Sequence, residues 1–586
     1  MADRTGADLV VERLRAWRVP RAFGYPGAAI APVVAALDAS GGDPEFVPAR
    51  HEETAAFMAT GHAKFTGEIG VCLATQGPSA VHLLNGLYDA KLDSKPVVAI
   101  IGEDISGPLG AAHEEIGLSR LFGDVCQFVR YGRAPDQVPA VLDQAFRTAA
   151  ATRSPTAVVL PRDVQLARVP DLLPQTAGIV SATPGEPLAR VLPHAADLDA
   201  AASVLGTGQR VAILVGQGAH GAADEIVALA DRLGAGVACS LLGKPVLDER
   251  LPFHTGVLGE VGTTAAARLM GSCDTLLLVG TNDPWVDYFP VPGQTRTIQI
   301  DIDGRRIGTR YPVDVPLVGD AVETLRALLT RVPGRRHEQW RGMVESSVDR
   351  WRAEAAERAA VPAEPINPQL VLQELGTRVP RSGALAVDVG SVLYWYARHL
   401  ELPPGVAAQL CGTLGSMGCA LPYAVAAKLA RPDRPVIALL GDGAMQFNGL
   451  AELITVAHHW RQWRDPRLVV LVLNNRDQSG IGGGRTLTDE LADRRPDVPY
   501  AGWARLLGLH GVRVDRPELV GPAWDEVLAA DRPSLLEAVV DPAVPLNPPE
   551  PALADLRGLF ADGDAARRVR ERMLANRVAV EAEDLV

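Results

Sequence analysis

The sequence predicts an α/β protein made of three doubly wound parallel-sheet domains. Short apolar segments alternate with amphipathic helical segments along almost the whole chain, which is typical of parallel strands joined by crossover helices. The 586 residues are enough for three domains of about 150–180 residues each. Two connectors with little apolar periodicity divide the chain into three blocks, so we expect one sheet in each block.

These connectors set the expected domain boundaries. The Pro-rich stretch "ARVPDLLPQTAGIVSATPGEP" follows the first block, and the charged helical stretch "RRHEQWRGMVESSVDRWRAEAAERAA" precedes the third. We therefore expect domains at residues 1–170, 191–335 and 366–545, followed by a C-terminal tail or lid at residues 546–586.

Composition excludes several classes of protein. A net charge of −13 argues against a nucleic-acid partner, which would need a basic surface. The six cysteines include no C-x-x-C pair and are expected to be buried thiols in a reducing compartment. The acidic N-terminus does not resemble a signal peptide, and no apolar run reaches the roughly 18 residues of a membrane span. We therefore expect a cytoplasmic protein with no integral membrane segment.

Polar residues follow two apolar strands of the third block. "VIALL" precedes the turn Gly441–Gly443, a helix is expected to start near Gln446, and the next strand, "RLVVLVLNN", ends at Asn474 and Asn475. Ligands of parallel sheets bind beyond the carboxyl ends of the strands. If these two strands are neighbours, the side chain of Asp442 and those of the asparagines converge.

Such a convergence suits a metal and a diphosphate. Carboxylate, amide and carbonyl oxygens are ligands that Mg²⁺ prefers. Glycines let a diphosphate approach the backbone, and a helix N-terminus offers free N–H groups. Either pattern alone is typical of an ordinary turn or loop, but their combination at two strand ends favours a binding site.

Further segments carry a family resemblance that extends across nearly the whole chain. The segments "FGYPGAAIAPV", "RHEETAAFMATGHAKFTG", "GVCLATQGPSAVHLLNGLYDAKLDSKPVVAIIG" and "GTLGSMGCALPYAVAAKLA" resemble thiamine diphosphate (ThDP)-dependent enzymes of the pyruvate oxidase and acetolactate synthase group. The resemblance implies a pyrimidine-binding first domain, a Rossmann-like central domain and a diphosphate-binding third domain. It also implies a homodimer or homotetramer with active sites between subunits.

The resemblance assigns cofactor contacts to particular residues. The side chains of Asp442 and Asn475 and the backbone carbonyl of Asp477 would ligate Mg²⁺. Met417 would bend the cofactor, although core packing alone also explains a methionine there. The full set of expected ThDP contacts is Pro26, Gly27, Pro78, Asn85, Gly390, Ser391, Val392, Leu414, Gly415, Met417, Gly441, Asp442, Gly443, Ala444 and Asn475.

One carboxylate of the first block is the predicted catalytic residue. "EFVPAR" is typical of a strand and "HEETAAFMATGHAKF" of a helix, which places Glu52 in the first helical turn. An acid there also stabilises a helix without any catalytic role. By resemblance, Glu52 hydrogen-bonds the pyrimidine ring of ThDP and assists its activation. We expect burial to raise the pKa of this carboxyl group.

The substrate pocket departs from the family pattern. His113 and Glu114 stand where relatives have other residues, and His113 is either a proton donor or a surface helix residue. Gln76 replaces a small residue and is expected to narrow the pocket or add a donor. Ile481 lies in a Gly-rich stretch that replaces apolar and aromatic residues of the family.

Two segments of the central block, "DTLLLVGTNDPWVDYFP" and "RTIQIDID", resemble the FAD-binding segments of pyruvate oxidases. Gly216 and Gly218 form only part of a dinucleotide fingerprint. The resemblance implies that Thr281, Asn282 and Asp301 contact FAD, and the partial fingerprint adds the two glycines as candidate contacts. The alternative is a Rossmann-like domain that is retained for its structure and binds no flavin.

Three functions remain open from the sequence. The first is ThDP- and Mg²⁺-dependent decarboxylation of a pyruvate-like 2-oxo acid, with the enamine intermediate oxidised through FAD. The second is an acetolactate synthase-like carboligase that transfers the C2 unit to a second carbonyl compound. The third is a non-catalytic relative that serves as a regulatory or assembly subunit; the presence of Glu52, Asp442 and Asn475 argues against it.

Overall fold

The computed structural model describes residues 4–104, 116–169, 190–334, 336–476 and 497–546. The described residues form three six-stranded sheets in which every paired strand is parallel to its neighbour. Helices flank each sheet. This confirms the predicted fold class of three doubly wound α/β domains.

The first sheet has the spatial order β2-β1-β3-β4-β6-β5. Its strands are β1 (Arg21–Gly24), β2 (Glu45–Pro48), β3 (Gly70–Ala74), β4 (Val97–Glu103), β5 (Val129–Tyr131) and β6 (Pro155–Pro161). The accompanying helices are α1 (Gly6–Ala16), α2 (Ala31–Ala39), α3 (Glu52–Thr66), α4 (Pro78–His82), α5 (Leu84–Leu92), α6 (Leu118–Leu121), α7 (Val138–Thr152) and α8 (Arg162–Leu166).

The central sheet has the order β12-β11-β10-β7-β8-β9. Its strands are β7 (Val211–Val215), β8 (Gly236–Cys239), β9 (His254–Val257), β10 (Thr275–Val279), β11 (Arg296–Asp301) and β12 (Val315–Val318). Its helices are α9 (Ala195–Thr207), α10 (Ala223–Leu233), α11 (Thr264–Ser272) and α12 (Ala321–Leu329), and the connector forms α13 (Glu338–Ala359).

The third sheet has the order β14-β13-β15-β16-β18-β17, which repeats the arrangement of the first sheet. Its strands are β13 (Ala384–Val387), β14 (Ala407–Leu410), β15 (Val436–Gly441), β16 (Leu468–Asn474), β17 (His510–Val514) and β18 (Ser534–Val539). Its helices are α14 (Pro368–Gly376), α15 (Ser391–His399), α16 (Ala420–Ala430), α17 (Asp442–Ala444), α18 (Leu450–His459), α19 (Tyr500–Leu506) and α20 (Val520–Ala529).

The first and third domains share one apolar core, in which α3 packs against α16. Lys64 lies inside this core without exposed surface, and its Nζ donates to Asp89 Oδ1 (2.8 Å), Asp93 Oδ2 (2.7 Å) and the carbonyl of Leu410 (2.7 Å). Burial alone would lower the pKa of Lys64, but the two carboxylates outweigh it and raise the pKa. The two carboxylates of the first domain thus neutralise the buried Lys64 charge, and its hydrogen bond to the carbonyl of Leu410 links the first domain to the third.

None of the helices in the described ranges combines the length and apolar character that a membrane span requires.

Candidate active site

The carboxyl edge of the third sheet brings the two predicted metal ligands together. Strands β15 and β16 are neighbours, with Gly441 opposite Leu473. Asp442 and Asn475 therefore follow adjacent strands at the same edge, as the sequence predicts. Asp442 is buried, and its Oδ1 accepts the N–H of Gly443 at 2.9 Å.

The helix after β15 starts earlier than predicted. It begins at Asp442 and not near Gln446, because Gly441 is the last extended residue. Helix α17 continues through a wider π-helical turn, Met445–Gly449, into α18. One helical run, residues 442–459, thus leaves the sheet at the predicted metal ligand.

The two asparagines after β16 have different roles. Asn474 is buried, and its Nδ2 donates to Glu537 Oε1 (3.0 Å) and Asp497 Oδ1 (3.2 Å). Asn475 is the first residue beyond the strand and is half-buried. Asn474 is therefore part of the sheet, whereas Asn475 lies just beyond it at the carboxyl edge. The predicted ligand Asp477 and the predicted pocket residue Ile481 lie outside the described residues.

Four glycines border open space at this edge. A Cβ added to Gly390, Gly415, Gly441 or Gly443 would meet no atom of the described residues within 4 Å. Gly390 and Gly415 have φ angles of +125° and +76°, in the region that favours glycine. Gly390 also precedes α15, so the first N–H groups of that helix face the same region. The backbone here can come close to a diphosphate.

Asp388 organises this edge, and the sequence analysis missed it. Its carboxylate accepts the N–H groups of Val389 (2.9 Å), Gly418 (2.8 Å) and Ala420 (2.9 Å). These bonds hold the loop that contains Leu414 and Met417 against the start of α15. Burial raises the pKa of Asp388 to about 6. An acid one residue after a buried strand was the signal in "VDVGS" that could have identified it.

Glu52 lies in the first turn of α3, as predicted, and pairs with a histidine that sequence analysis also missed. His51 caps the helix by accepting the N–H of Glu53 at Nδ1 (3.2 Å). His82 Nδ1 is 2.9 Å from Glu52 Oε2. The ring centroids of His51 and His82 are 4.3 Å apart. His82 ends α4, thirty positions along the chain, so its partner could not be read from spacing.

The expected direction of the Glu52 pKa shift was wrong. Burial raises the pKa of Glu52, but hydrogen bonds from His82 and Ser79 outweigh burial, so that the pKa is lower than usual. Two donors aimed at one carboxylate favour its ionised form. Glu52 is therefore a carboxylate, not a carboxylic acid, near neutral pH in the structure.

Gly216 and Gly218, the two predicted flavin glycines, do not border open space. A Cβ on Gly216 would lie 2.3 Å from the carbonyl oxygen of Gly280, and one on Gly218 would lie 2.8 Å from Gly280 Cα. Loop packing between β7 and β10 therefore explains both glycines without a ligand. This finding weakens the sequence argument that they contact a nucleotide.

The other predicted flavin contacts do gather at the carboxyl edge of the central sheet. Asn282 Oδ1 accepts the hydroxyl of Thr309 at 3.0 Å, and the buried Thr281 precedes it. Asp301 ends β11 and accepts the N–H of Asp303 at 2.9 Å. Burial raises the pKa of Asp301, which this hydrogen bond only partly offsets.

The remaining predicted residues lie around α2, α4 and α5. Pro26 and Gly27 line a cavity of about 710 Å³ against α2 and β2. Gln76 Oε1 accepts the N–H of Asp104 at 2.6 Å, so it supports the end of β4. Asn85 Nδ2 donates to Glu53 Oε1 (2.7 Å) and Ser416 Oγ (2.8 Å), while Pro78 begins α4. His113 and Glu114 lie outside the described residues.

Comparison with known proteins identifies the class of the chain. Models of thiamine pyrophosphate enzymes match it three times: the N-terminal TPP binding domain over residues 4–118, the central domain over 198–328 and the C-terminal TPP binding domain over 388–538. The chain therefore belongs to the thiamine pyrophosphate enzyme family; thiamine pyrophosphate is another name for ThDP.

Similar proteins place the chain within this family. It is 33% identical to the putative thiamine pyrophosphate-containing protein YdaP of Bacillus subtilis, over 93% of both chains. It is 33% identical to the acetolactate synthase isozyme 2 large subunit of Escherichia coli (93% of this chain, 97% of that one). It is 28% identical to the pyruvate oxidase of Lactiplantibacillus plantarum (95% and 92%). The protein is thus a ThDP-dependent enzyme of the acetolactate synthase and pyruvate oxidase group, which confirms the family predicted from the sequence.

Proposed function

We propose that the protein uses ThDP and Mg²⁺ to release CO₂ from a pyruvate-like 2-oxo acid and passes the electrons to FAD. The observation that carries this proposal is one sheet edge at which Asp442 and Asn475 follow neighbouring strands and four glycines border open space. When bound, ThDP supplies a carbon nucleophile and an electron sink for the decarboxylation.

The third domain would hold the cofactor. Asp442, Asn475 and the carbonyl of Asp477 would ligate Mg²⁺, whose preference is for hard oxygen donors. The backbone from Gly390 to Val392 would bind the diphosphate at the start of α15. Leu414 and Met417, both half-buried, stand on the loop that Asp388 anchors and would contact the rings.

Glu52 would exchange a proton with the pyrimidine ring nitrogen. Its lowered pKa keeps it ionised near neutral pH, so it is ready to accept the proton. His82 Nδ1 touches Glu52 Oε2, and the His82 side chain is 41% exposed. His82 therefore offers a proton path between the buried carboxylate and water.

The active form would be a homodimer or homotetramer with active sites between subunits. Three large apolar side chains are exposed at positions close in sequence to proposed site residues. Tyr25 precedes Pro26 and Val81 precedes His82 in the first domain, and Phe447 lies five positions after Asp442 in the third. Their exposed fractions are 47%, 43% and 64%. Such residues suit burial against a second copy of the chain.

FAD would bind at the carboxyl edge of the central sheet. This edge contacts the first domain: Gln217 Nε2 donates to the carbonyl of Asp93 at 3.2 Å, and Arg306 donates to the Ser94 hydroxyl. The buried carboxylate of Asp301 is a suitable acceptor for a ribose hydroxyl. A flavin nucleotide at this edge would lie beside the domain that contains Glu52.

A visible spectrum of the purified protein tests the oxidase proposal. We expect flavin absorption that bleaches when pyruvate is added without oxygen, and no bleaching when ThDP is withheld. A protein without flavin absorption, or with a flavin that pyruvate does not bleach, would contradict the proposed electron transfer.

The second candidate is a carboligase that joins the two-carbon unit to a second carbonyl compound. It is favoured by the higher identity to acetolactate synthase isozyme 2 than to pyruvate oxidase, 33% against 28%. A colourless protein that releases CO₂ from pyruvate and forms an acyloin product would support it. CO₂ release without an acyloin, together with flavin bleaching, would exclude it.

A further inference from the structure

The helical run that begins at Asp442 forms hydrogen bonds to residues at the start of α3. Glu452 on α18 has no exposed surface. Its Oε1 lies 2.7 Å from the backbone nitrogen of Arg50, which donates to it, and 2.6 Å from the hydroxyl oxygen of Thr54. These two contacts join the third domain to the first.

The contacts bracket Glu52 in the sequence. Arg50 lies two positions before it and Thr54 two positions after it. The same helical run makes two more bonds to this segment: Arg50 Nε donates to Thr455 Oγ1 (3.2 Å), and Asn448 Nδ2 donates to Glu53 Oε1 (3.3 Å). The chain around Glu52 is thus fixed from one side, while the side chain of Glu52 turns to His82.

We propose that Glu452 is a positioning residue for Glu52, which acts by accepting hydrogen bonds from Arg50 and Thr54. The inference rests on the proposed function, in which Glu52 exchanges the proton. Because Glu452 needs only an acceptor oxygen at this place, its charge is dispensable. Glutamine, which keeps a carbonyl oxygen, should therefore replace it, whereas alanine should not.

The placement has a consequence for the assembled enzyme. The helical run begins at the predicted metal ligand Asp442. Ten positions further on, Glu452 binds the residues on either side of Glu52. In a dimer with sites between subunits, Asp442 and Glu52 belong to different active sites. Glu452 would then connect the metal ligand of one active site to the catalytic carboxylate of the other through a single helical run.

Hydrogen exchange read by mass spectrometry tests the contact in the full-length protein without added cofactor. In Glu452→Ala, peptides covering residues 48–57 should exchange about tenfold faster than in the wild type, because the Arg50 amide loses its acceptor. Glu452→Gln should exchange like the wild type. Thr54→Val keeps the shape and removes the hydroxyl that lies 2.6 Å from Glu452 Oε1 and 2.7 Å from the His51 carbonyl oxygen. It should fall between them and serves as the test if the alanine variant does not fold.

Turnover provides the second readout. We expect kcat to fall roughly tenfold or more in Glu452→Ala with little change in KM, and Glu452→Gln to restore it to within about threefold. Unchanged exchange and kcat in Glu452→Ala and Thr54→Val would overturn the proposal, as would a glutamine variant as impaired as the alanine one. A wild-type protein that turns over no 2-oxo acid would contradict the proposed function instead, since the exchange measurement needs no activity.

Discussion

The central and third sheets end in similar glycine-containing turns, yet the glycines do different things. At the third sheet, Gly441 and Gly443 border space that no described atom fills. At the central sheet, Gly216 and Gly218 press against Gly280 and leave no room for a Cβ. A glycine pattern after a buried strand therefore indicates close backbone approach, and only the structure shows whether the approaching group is a ligand or another loop.

The acids at the two edges differ in the same way. Asp442 follows β15 and Asn475 follows the neighbouring strand β16, so this edge carries two side chains with oxygen donors. Asp301 accepts a backbone N–H and has its pKa raised by burial, which suits a hydrogen bond to a neutral ligand better than a metal. The proposed function therefore places ThDP at the third edge and FAD at the central one.

The largest expected effect separates the proposed ThDP site, to which Glu52 of the first domain would contribute, from the central edge. Glu52→Gln should lower CO₂ release by about 10²–10⁴-fold, the range of a general acid–base residue. Asp301→Asn should leave CO₂ release with an artificial electron acceptor within about threefold of the wild type, because it lies at the other edge. Release of labelled CO₂ measures both. Wild-type activity in Glu52→Gln would contradict its role.

The next largest effects are expected from alanine substitutions of one glycine at each edge. Gly216→Ala should destabilise the protein by about 1–3 kcal/mol through overpacking and leave ThDP affinity unchanged. Gly441→Ala should keep stability within about 0.5 kcal/mol and weaken ThDP binding, since its Cβ enters the open space. Thermal unfolding and titration calorimetry would read the two outcomes. If both variants behave alike, the contrast between the edges is wrong.

Variants of the neighbouring asparagines test which residue of the third edge binds the metal. Asn475→Ala should weaken Mg²⁺-dependent ThDP binding by roughly 10–100-fold. Asn474→Ala should instead lower the free energy of unfolding by about 1–3 kcal/mol, because Glu537 and Asp497 lose a buried donor. Metal titrations in the presence of ThDP, followed by denaturant unfolding, test this. Equal loss of metal affinity in both variants would contradict the assignment of Asn475, and not Asn474, as the metal ligand.

The smallest effect is on pH dependence. His82 lowers the pKa of Glu52, so His82→Ala should raise that pKa toward its ordinary value. The acid limb of the kcat/KM profile should then move to higher pH, because a larger fraction of Glu52 is protonated at a given acidic pH. Asp301→Asn should leave the limb in place. An unmoved limb in His82→Ala would show that His82 does not set the ionisation of Glu52.

Local sequence patterns predicted the fold class and the edge of the third sheet well. Strands such as "VIALLG" are apolar because both faces are buried, and polar residues after them mark the carboxyl edge. That Asp442 and Asn475 would lie at one edge was expected on the condition that the strands before them are neighbours, and β15 and β16 do pair. These features depend on neighbours in sequence or on rules of sheet topology.

Side-chain partners across long separations were not predictable in this way. His82 reaches Glu52 only because α4 folds back beside α3, and Asp388 reaches Gly418 across thirty residues. The sign of the Glu52 pKa shift was wrong for the same reason, since burial can be read from an apolar context but hydrogen-bond donors cannot. The close packing of Gly216 and Gly218 against Gly280 could not be predicted either, because loop packing leaves no periodic signal in the sequence.

Titration calorimetry with ThDP and Mg²⁺ tests the central claim most directly. We expect the wild type and Asp301→Ala to bind ThDP with similar affinity in Mg²⁺, and Asp442→Ala to bind more than about 100-fold more weakly. Chelation of the metal should reduce wild-type binding to the level of Asp442→Ala. Equal binding by the wild type and Asp442→Ala, or a loss in Asp301→Ala alone, would contradict the assignment of the cofactor to the third sheet.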